Sequence, residues 1–299
     1  MFRGALGIVT AVVLASACAG TGSTVQGGVL HVVAGENFWG DIAAQLGGTH
    51  ARVQSVVTDP NADPHEYESN TNDARAFATA NLVMLNGAGY DDWGQKLLDA
   101  NPAPGRKVLN LAQLLGKKPG DNPHFWYGPD FVTKVADRIT SEYTALDAAE
   151  TAYFERQRDS FTAALEPYTR RLSEIKQKFA GVPIGSTESI FVYMADYLGL
   201  KVLSPADFMQ AVSEGNDPPA ASVVVFHDQI ARKAIRVLVY NVQTSTAVTT
   251  NLKDEASRQS IPVVGVYETV PPGAVSFQQW QAGQLVELEN ALETQAAAP

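Results

Sequence analysis

Cysteine is nearly missing from this chain: Cys18 is the only one in 299 residues. No internal disulfide can therefore form. Positive charge is also short. The 22 Lys and Arg are outnumbered by 32 Asp and Glu, leaving a net charge of −10 and an isoelectric point near 5.0. An acidic surface of this kind argues against nucleic-acid binding, which depends on neutralising phosphates. It is compatible with handling cations. Past the N-terminus there is no apolar run long enough to span a bilayer. There is no internal repeat and no low-complexity tract apart from one short Gly/Ser/Thr stretch. The sequence also lacks H-E-x-x-H or any comparable hydrolase signature.

The N-terminus does carry a pattern. Arg3 is followed by an almost wholly apolar stretch over residues 4–14, then by Ala15, Ser16 and Ala17. This reads as a secretory signal over residues 1–17. Cys18 directly after a small-residue site resembles a bacterial lipobox, in which the thiol is acylated and becomes the new N-terminus. Ala15 stands where leucine is usual, and cleavage beside an incidental cysteine is the alternative. Residues 18–27, AGTGSTVQGG from Ala19 onward, read as a flexible tether. About 270 residues remain, enough for two domains.

Apolar runs and helical patterns alternate along residues 28–145, which predicts an α/β lobe with mainly parallel sheet. Strands are expected in VLHVVAG, VQSVVT, LVMLNG and RKVLNL. From about residue 129 to 179 almost nothing breaks a helix except Pro167. PDFVTKVADRITSEYTAL reads as one helix. Residues 146–180 read as another, with Asp147 as N-cap and Gly181 as stop. At about 1.5 Å per residue it is close to 50 Å long, which exceeds one small domain. Its apolar positions (Tyr153, Phe161, Leu165, Tyr168, Leu172 and Ile175) share one face, and Pro167 is expected to kink it. It reads as a strut. A second α/β lobe follows over 181–299, with strands in VPIGST, KVLSP, RVLVYN and IPVVGVYE.

In open α/β sheets ligands bind beyond the carboxyl ends of strands. There the first lobe offers His65, after VQSVVT, and His124, after the RKVLNL region. The second offers Glu188, after VPIGST, and Glu268, after IPVVGVY. Each histidine follows a proline, in DPHEYE and NPHFWY. Proline fixes its own φ and holds its predecessor extended, so these loop histidines lose less entropy on ligating. Two imidazoles and two carboxylates suit a first-row divalent ion such as Zn or Mn. Taken singly, each has a plainer explanation: a surface-loop histidine, an exposed carboxylate, or a carboxylate at a helix N-terminus. His31 and His50 read as structural, and His227 sits on an expected helix.

The stretches DPHEYE, NPHFWYGPD, GSTESIFVYMADYLGL, VLVYNVQTSTAVTTNL and IPVVGVYETVPPG together resemble the zinc/manganese solute-binding lipoproteins of bacterial ABC importers, whose two lobes are joined by one long helix. The resemblance runs from about residue 31 to the end. It implies that His65 and His124 bind metal, that Glu188 before the F-x-Y helix is the third ligand, and that Glu268 is the fourth. It further implies one Zn²⁺ or Mn²⁺ as transported ligand and an ABC-type metal permease as partner. It implies an extracytoplasmic monomer held at the outer face of the membrane, or in the periplasm, through lipid on Cys18. Two departures lean toward a manganese-type or mixed site: no His/Asp-rich loop follows the first ligand, and the third ligand is Glu where many zinc-handling members have His. Zinc nonetheless outcompetes manganese at most N/O sites. Two other readings stand beside this one. A mononuclear hydrolase would use the same cluster, with His65, His124 and Glu188 as ligands and Glu268 as base; a metal-chelate receptor would want Arg or aromatic residues lining its cleft rather than convergent metal ligands.

Overall fold

Two four-stranded parallel sheets organise the computed structural model, which describes residues 28–60 and 64–296. The expected signal and the whole of the expected tether, Cys18 included, lie outside the described residues. The first lobe contains β1 (Leu30–Glu36), α1 (Asn37–Gly47), β2 (Ala51–Val57), α2 (Thr71–Thr79) and β3 (Leu82–Leu85). It continues through α3 (Asp92–Ala100), β4 (Lys107–Asn110) and the short α4 (Leu111–Leu114). Two long helices follow, α5 (Pro129–Leu146) and α6 (Thr151–Phe179). The second lobe holds β5 (Pro183–Ser186), α7 (Val192–Leu198), β6 (Lys201–Val202), α8 (Ala206–Ser213) and α9 (Ala220–Ala231). It closes with β7 (Leu238–Asn241), α10 (Ala247–Arg258), β8 (Val263–Val266) and α11 (Phe277–Ala296).

The sheets run β2-β1-β3-β4 and β6-β5-β7-β8, with every pairing parallel. In each, the first strand lies inside, and the chain visits one side before crossing to the other. That reversal, between β1 and β3 and again between β5 and β7, opens a crevice at the carboxyl edge. Central strands bury both faces. Val32 and Ala34 of β1, with Leu82 and Met84 of β3, join a core shared with the second lobe. Their neighbours Val33, Val83 and Leu85 face the other way, against Phe77 and Trp93 under α2 and α3.

The strut is real, with an adjusted start. A 3-10 turn, Ala148–Glu150, separates α5 from α6, so Asp147 sits at the C-cap of α5, its N–H bonded to the Tyr143 carbonyl. Glu150 precedes the first residue of α6. The helix is assigned without a break through Pro167, which lies on the exposed face. There water can serve the carbonyl that proline leaves unpaired. Phe154, Phe161, Leu165, Tyr168, Leu172, Ile175 and Phe179 are buried, at the three- and four-residue steps of one helical face. They belong to one continuous apolar cluster running from Leu30 in β1 to Leu292 in α11, so the lobes share a core.

A second connection was not visible in the sequence. Asn37 donates from Nδ2 to the Val270 carbonyl (2.9 Å) and accepts the Val270 N–H on Oδ1 (2.9 Å). Asp41 accepts the Phe277 N–H (2.8 Å), and the Gln45 and Gln278 amides pair reciprocally (3.0 and 2.7 Å). Helix α1 of the first lobe is thus stitched to residues 270–278 of the second. Among the described residues no helix is long and apolar enough to cross a membrane.

Candidate metal centre

His65 lies on a 3-10 turn, Pro64–Glu66, beyond β2. The turn is anchored from its far side. Tyr67 donates its hydroxyl to Asp73 (2.9 Å) and packs edge-on against Trp93, and Asp73 belongs to the capping box with which Asn70 opens α2. The DPHEYE segment therefore holds its histidine between a stiff proline and a pinned tyrosine. His124, in NPHFWY, is fully buried ahead of a 3-10 turn whose Phe125, Trp126 and Tyr127 are also fully buried.

The His124 ring is oriented by Asn122. Its Nδ1 lies 2.8 Å from Asn122 Oδ1, which also accepts the His124 N–H. Asn122 Nδ2 donates to the Ser189 carbonyl (2.7 Å), which fixes the oxygen end of the amide toward the imidazole. Nδ1 must then carry the proton, leaving Nε2 as a bare lone pair with no hydrogen-bond partner. Burial first, and the neighbouring His65 second, hold the His124 pKa well below the usual imidazole value, so the ring is neutral and able to ligate.

Glu188 follows β5 by two residues and Glu268 follows β8 by two; both are fully buried. Glu188 Oε1 stands 3.3 Å from His124 Nε2 and Glu268 Oε2 stands 3.7 Å from His65 Nε2. Ligand atoms of His65, His124 and Glu268 all lie within 4.8 Å of one another. Glu188 joins this group along its His124 edge. All four sequence-derived candidates thus meet in the cleft between the sheets. A four-coordinate ion with bonds of ~2.1 Å has donor–donor edges of ~3.4 Å, close to both imidazole–carboxylate separations. Asn241, Tyr90 and Ser189 donate to these carboxylates. A divalent cation held between them would meet the negative charge of two buried carboxylates.

The other histidines stand apart. His31 is exposed on β1, His50 stacks on Tyr153, and His227 pairs with Glu255.

Several supporting residues were missed. Asn241, the last residue of β7, donates from one amide nitrogen to Glu188 Oε2 (2.5 Å) and Glu268 Oε1 (2.7 Å). Tyr90 donates to Glu268 Oε2 (2.9 Å). Gln243 Oε1 accepts the N–H groups of Glu268 (2.6 Å) and Thr269 (3.1 Å), holding the loop after β8. Behind Tyr90, Asp91 accepts the N–H groups of Asn86 and Gly87, and Asn86 reaches the Pro123 carbonyl beside His124. Gly35 permits this approach, since a Cβ there would lie 2.9 Å from Asp91 Oδ2. Glu36 is buried beside Asp91. Burial raises both acids, Asp91 to about 6 and Glu36 well above the carboxylate range. A signal existed for Asn241 and Tyr90, since both end or follow expected strands, but asparagine and tyrosine are common there.

A cavity of about 430 Å³ leads from solvent to His65 and Tyr90, walled by Asn122, Ser189, Val192 and Met209. Helix α8, which is not among the elements expected from the sequence, forms its outer side.

Curated relatives of this sequence are substrate-binding lipoproteins of metal ABC transporters. The manganese ABC transporter substrate-binding lipoprotein PsaA of Streptococcus mitis is 26% identical over 207 residues, covering 63% of this chain and 66% of that protein. The iron ABC transporter substrate-binding lipoprotein MtsA of Streptococcus pyogenes serotype M1 is 25% identical over 214 residues, 65% of this chain and 68% of the relative. The alignments thus span about two thirds of the relatives' length. Among solved structures, the Mn-bound periplasmic metal binding protein from Candidatus Liberibacter asiaticus superposes with TM-score 0.71 at 18% identity, covering 87% of this chain and 98% of that one. The SBP FpvC of P. aeruginosa in complex with Ni²⁺ gives 0.73 at 17%, covering 91% and 99%. Both establish the shared two-lobed fold. The family described as zinc-uptake complex component A periplasmic, ZnuA, matches residues 32–291, nearly the whole described chain, and the protein belongs to it.

Proposed function

We propose that this protein captures one divalent transition-metal ion in the cleft between its lobes and delivers it to an ABC-type permease for import. The ion is cargo. His65, His124, Glu188 and Glu268 are its ligands, and Zn²⁺ and Mn²⁺ are the candidate metals. The observation that carries the reading is the meeting of two imidazoles and two buried carboxylates, drawn from four separate segments of the two lobes, at separations of 3.3 and 3.7 Å. The relatives' descriptions as manganese and iron transporter substrate-binding lipoproteins support it.

The chain divides accordingly into a signal peptide (1–17), a tether (18–27) lipidated at Cys18, a first lobe (28–145), a bridging helix (146–180) and a second lobe (181–299). It acts as a monomer outside the cytoplasm, lipid-anchored at the outer face of the membrane or periplasmic. Four protein donors leave no dedicated position for a catalytic water, so binding rather than hydrolysis is its activity.

Metal analysis of protein purified without chelator tests this. One equivalent of Zn or Mn per chain is expected, falling to less than about a tenth in His124→Ala. A wild-type protein that binds neither ion after dialysis against both would overturn the assignment.

A further inference from the structure

Asn241 is 1% exposed at the carboxyl end of β7, midway between the two acidic ligands, and its environment fixes which way its amide points. Oδ1 accepts the Gln243 N–H (3.0 Å), and its own backbone N–H donates to Thr187 Oγ1 (3.2 Å). Nδ2 therefore faces the carboxylates. Its two hydrogens are both committed, one to Glu188 Oε2 and one to Glu268 Oε1. The oxygens left toward the imidazoles are Glu188 Oε1, beside His124, and Glu268 Oε2, beside His65.

One amide thus turns one oxygen of each carboxylate away from the ion. Each glutamate can ligate through a single oxygen while Asn241 holds the other. The protein then presents two nitrogens and two oxygens. Without the amide, each carboxylate could swing to grip the ion with both oxygens, and the set would become two nitrogens and four oxygens. Zn²⁺ is satisfied by four donors in a tetrahedron. Mn²⁺ prefers six-coordination rich in oxygen. We infer that Asn241 sets the number of donors at this centre and so selects Zn²⁺ over Mn²⁺. The inference rests on the metal-binding reading above. It runs against the manganese lean drawn from the sequence, because Glu in place of His as third ligand adds oxygen only if both its oxygens are free.

The test uses the full mature chain and its variants Asn241→Leu, which matches the side chain in size and donates nothing, and Asn241→Ser, which keeps at most one donor. Affinities for Zn²⁺ and for Mn²⁺ are measured separately by chelator competition, and donor number is read by X-ray absorption on the Zn-loaded proteins. The wild type should show four light donors. Both variants should show five or six, with the Zn/Mn affinity ratio reduced by about tenfold or more, the range typical of losing a group that orients a metal ligand. Should Asn241→Leu fail to fold, Asn241→Ser reads the same two quantities. An unchanged ratio and donor number in variants that still bind one ion per chain would overturn the role of Asn241 and leave the metal site standing. Failure of the wild type to bind either ion would overturn both.

Discussion

Metal loading should leave the two lobes almost where they are. Opening the cleft widely requires helix α1 to leave residues 270–278, which breaks the five hydrogen bonds made by Asn37, Asp41 and Gln45. At about 1 kcal/mol net for each, that costs roughly 5 kcal/mol, before any exposure of the shared core. An open population on the order of one in several thousand follows. Small-angle scattering of the metal-free and loaded protein should give radii of gyration near 18 Å for the folded body, differing by less than about 0.5 Å. Hydrogen exchange probes the same barrier, because the Val270 and Phe277 amides are themselves bonded across the lobes. Gln45→Ala removes two of the five bonds; because Gln45 also donates to Asp41 Oδ2, the acceptor of the Phe277 amide, the Val270 amide, held by Asn37, is the undisturbed reporter. About 2 kcal/mol of lost protection should speed its exchange roughly thirtyfold. A fall in radius of more than about 1 Å on loading, of the kind produced by hinge closure, or exchange in Gln45→Ala equal to wild type, would refute the reasoning.

Three further outcomes are expected. Ion binding to the folded form alone should stabilise it by about 4 kcal/mol at a thousandfold excess over Kd; thermal melts with Zn²⁺ should exceed those with EDTA, and His124→Ala should abolish the difference. Tyr90→Phe removes the hydroxyl that supports Glu268 Oε2 and should weaken metal affinity about 10- to 100-fold in chelator competition, with donor number unchanged. Glu36 binds its proton more tightly folded than unfolded, because burial raises its pKa. Its contribution is therefore present at low pH and lost as pH rises through the folded value. Glu36→Gln, which copies the protonated acid, should melt like wild type near pH 5 and above it near pH 9; equal melts at both would show that Glu36 carries no such penalty.

Strand–helix alternation was legible because parallel strands buried on both faces leave unmistakable apolar runs, as residues 32–35, 82–85 and 238–240 illustrate. Glu188 and Glu268 were legible because they lie two residues past β5 and β8, whereas His65 and His124 lie further out, eight residues past β2 and fourteen past β4, and stood out by the prolines before them. What escaped notice has physical reasons. Helix α8 is eight residues long, between Pro205 and Gly215, too short to stand out between those breakers. The 3-10 turn after Asp147 contains only Ala148, Ala149 and Glu150, which fit a helix equally well. The α1 stitch joins positions 233 to 236 apart, and such pairing leaves no periodic trace. Asn241 matters through the direction of one amide, which only the positions of Gln243 and both carboxylates reveal. Glu36 reads as a turn residue after an apolar strand, yet it ends the strand buried against a second acid.

Anomalous diffraction from a crystal of the metal-loaded protein tests the central claim most directly. One peak is expected within about 2.3 Å of His65 Nε2, His124 Nε2, Glu188 Oε1 and Glu268 Oε2 together. These donors would be drawn inward from their present places, where His65, His124 and Glu268 lie within 4.8 Å of one another and Glu188 Oε1 stands 3.3 Å from His124 Nε2. A peak elsewhere in the chain, or one that leaves any of these four residues out of bonding distance, would contradict the account.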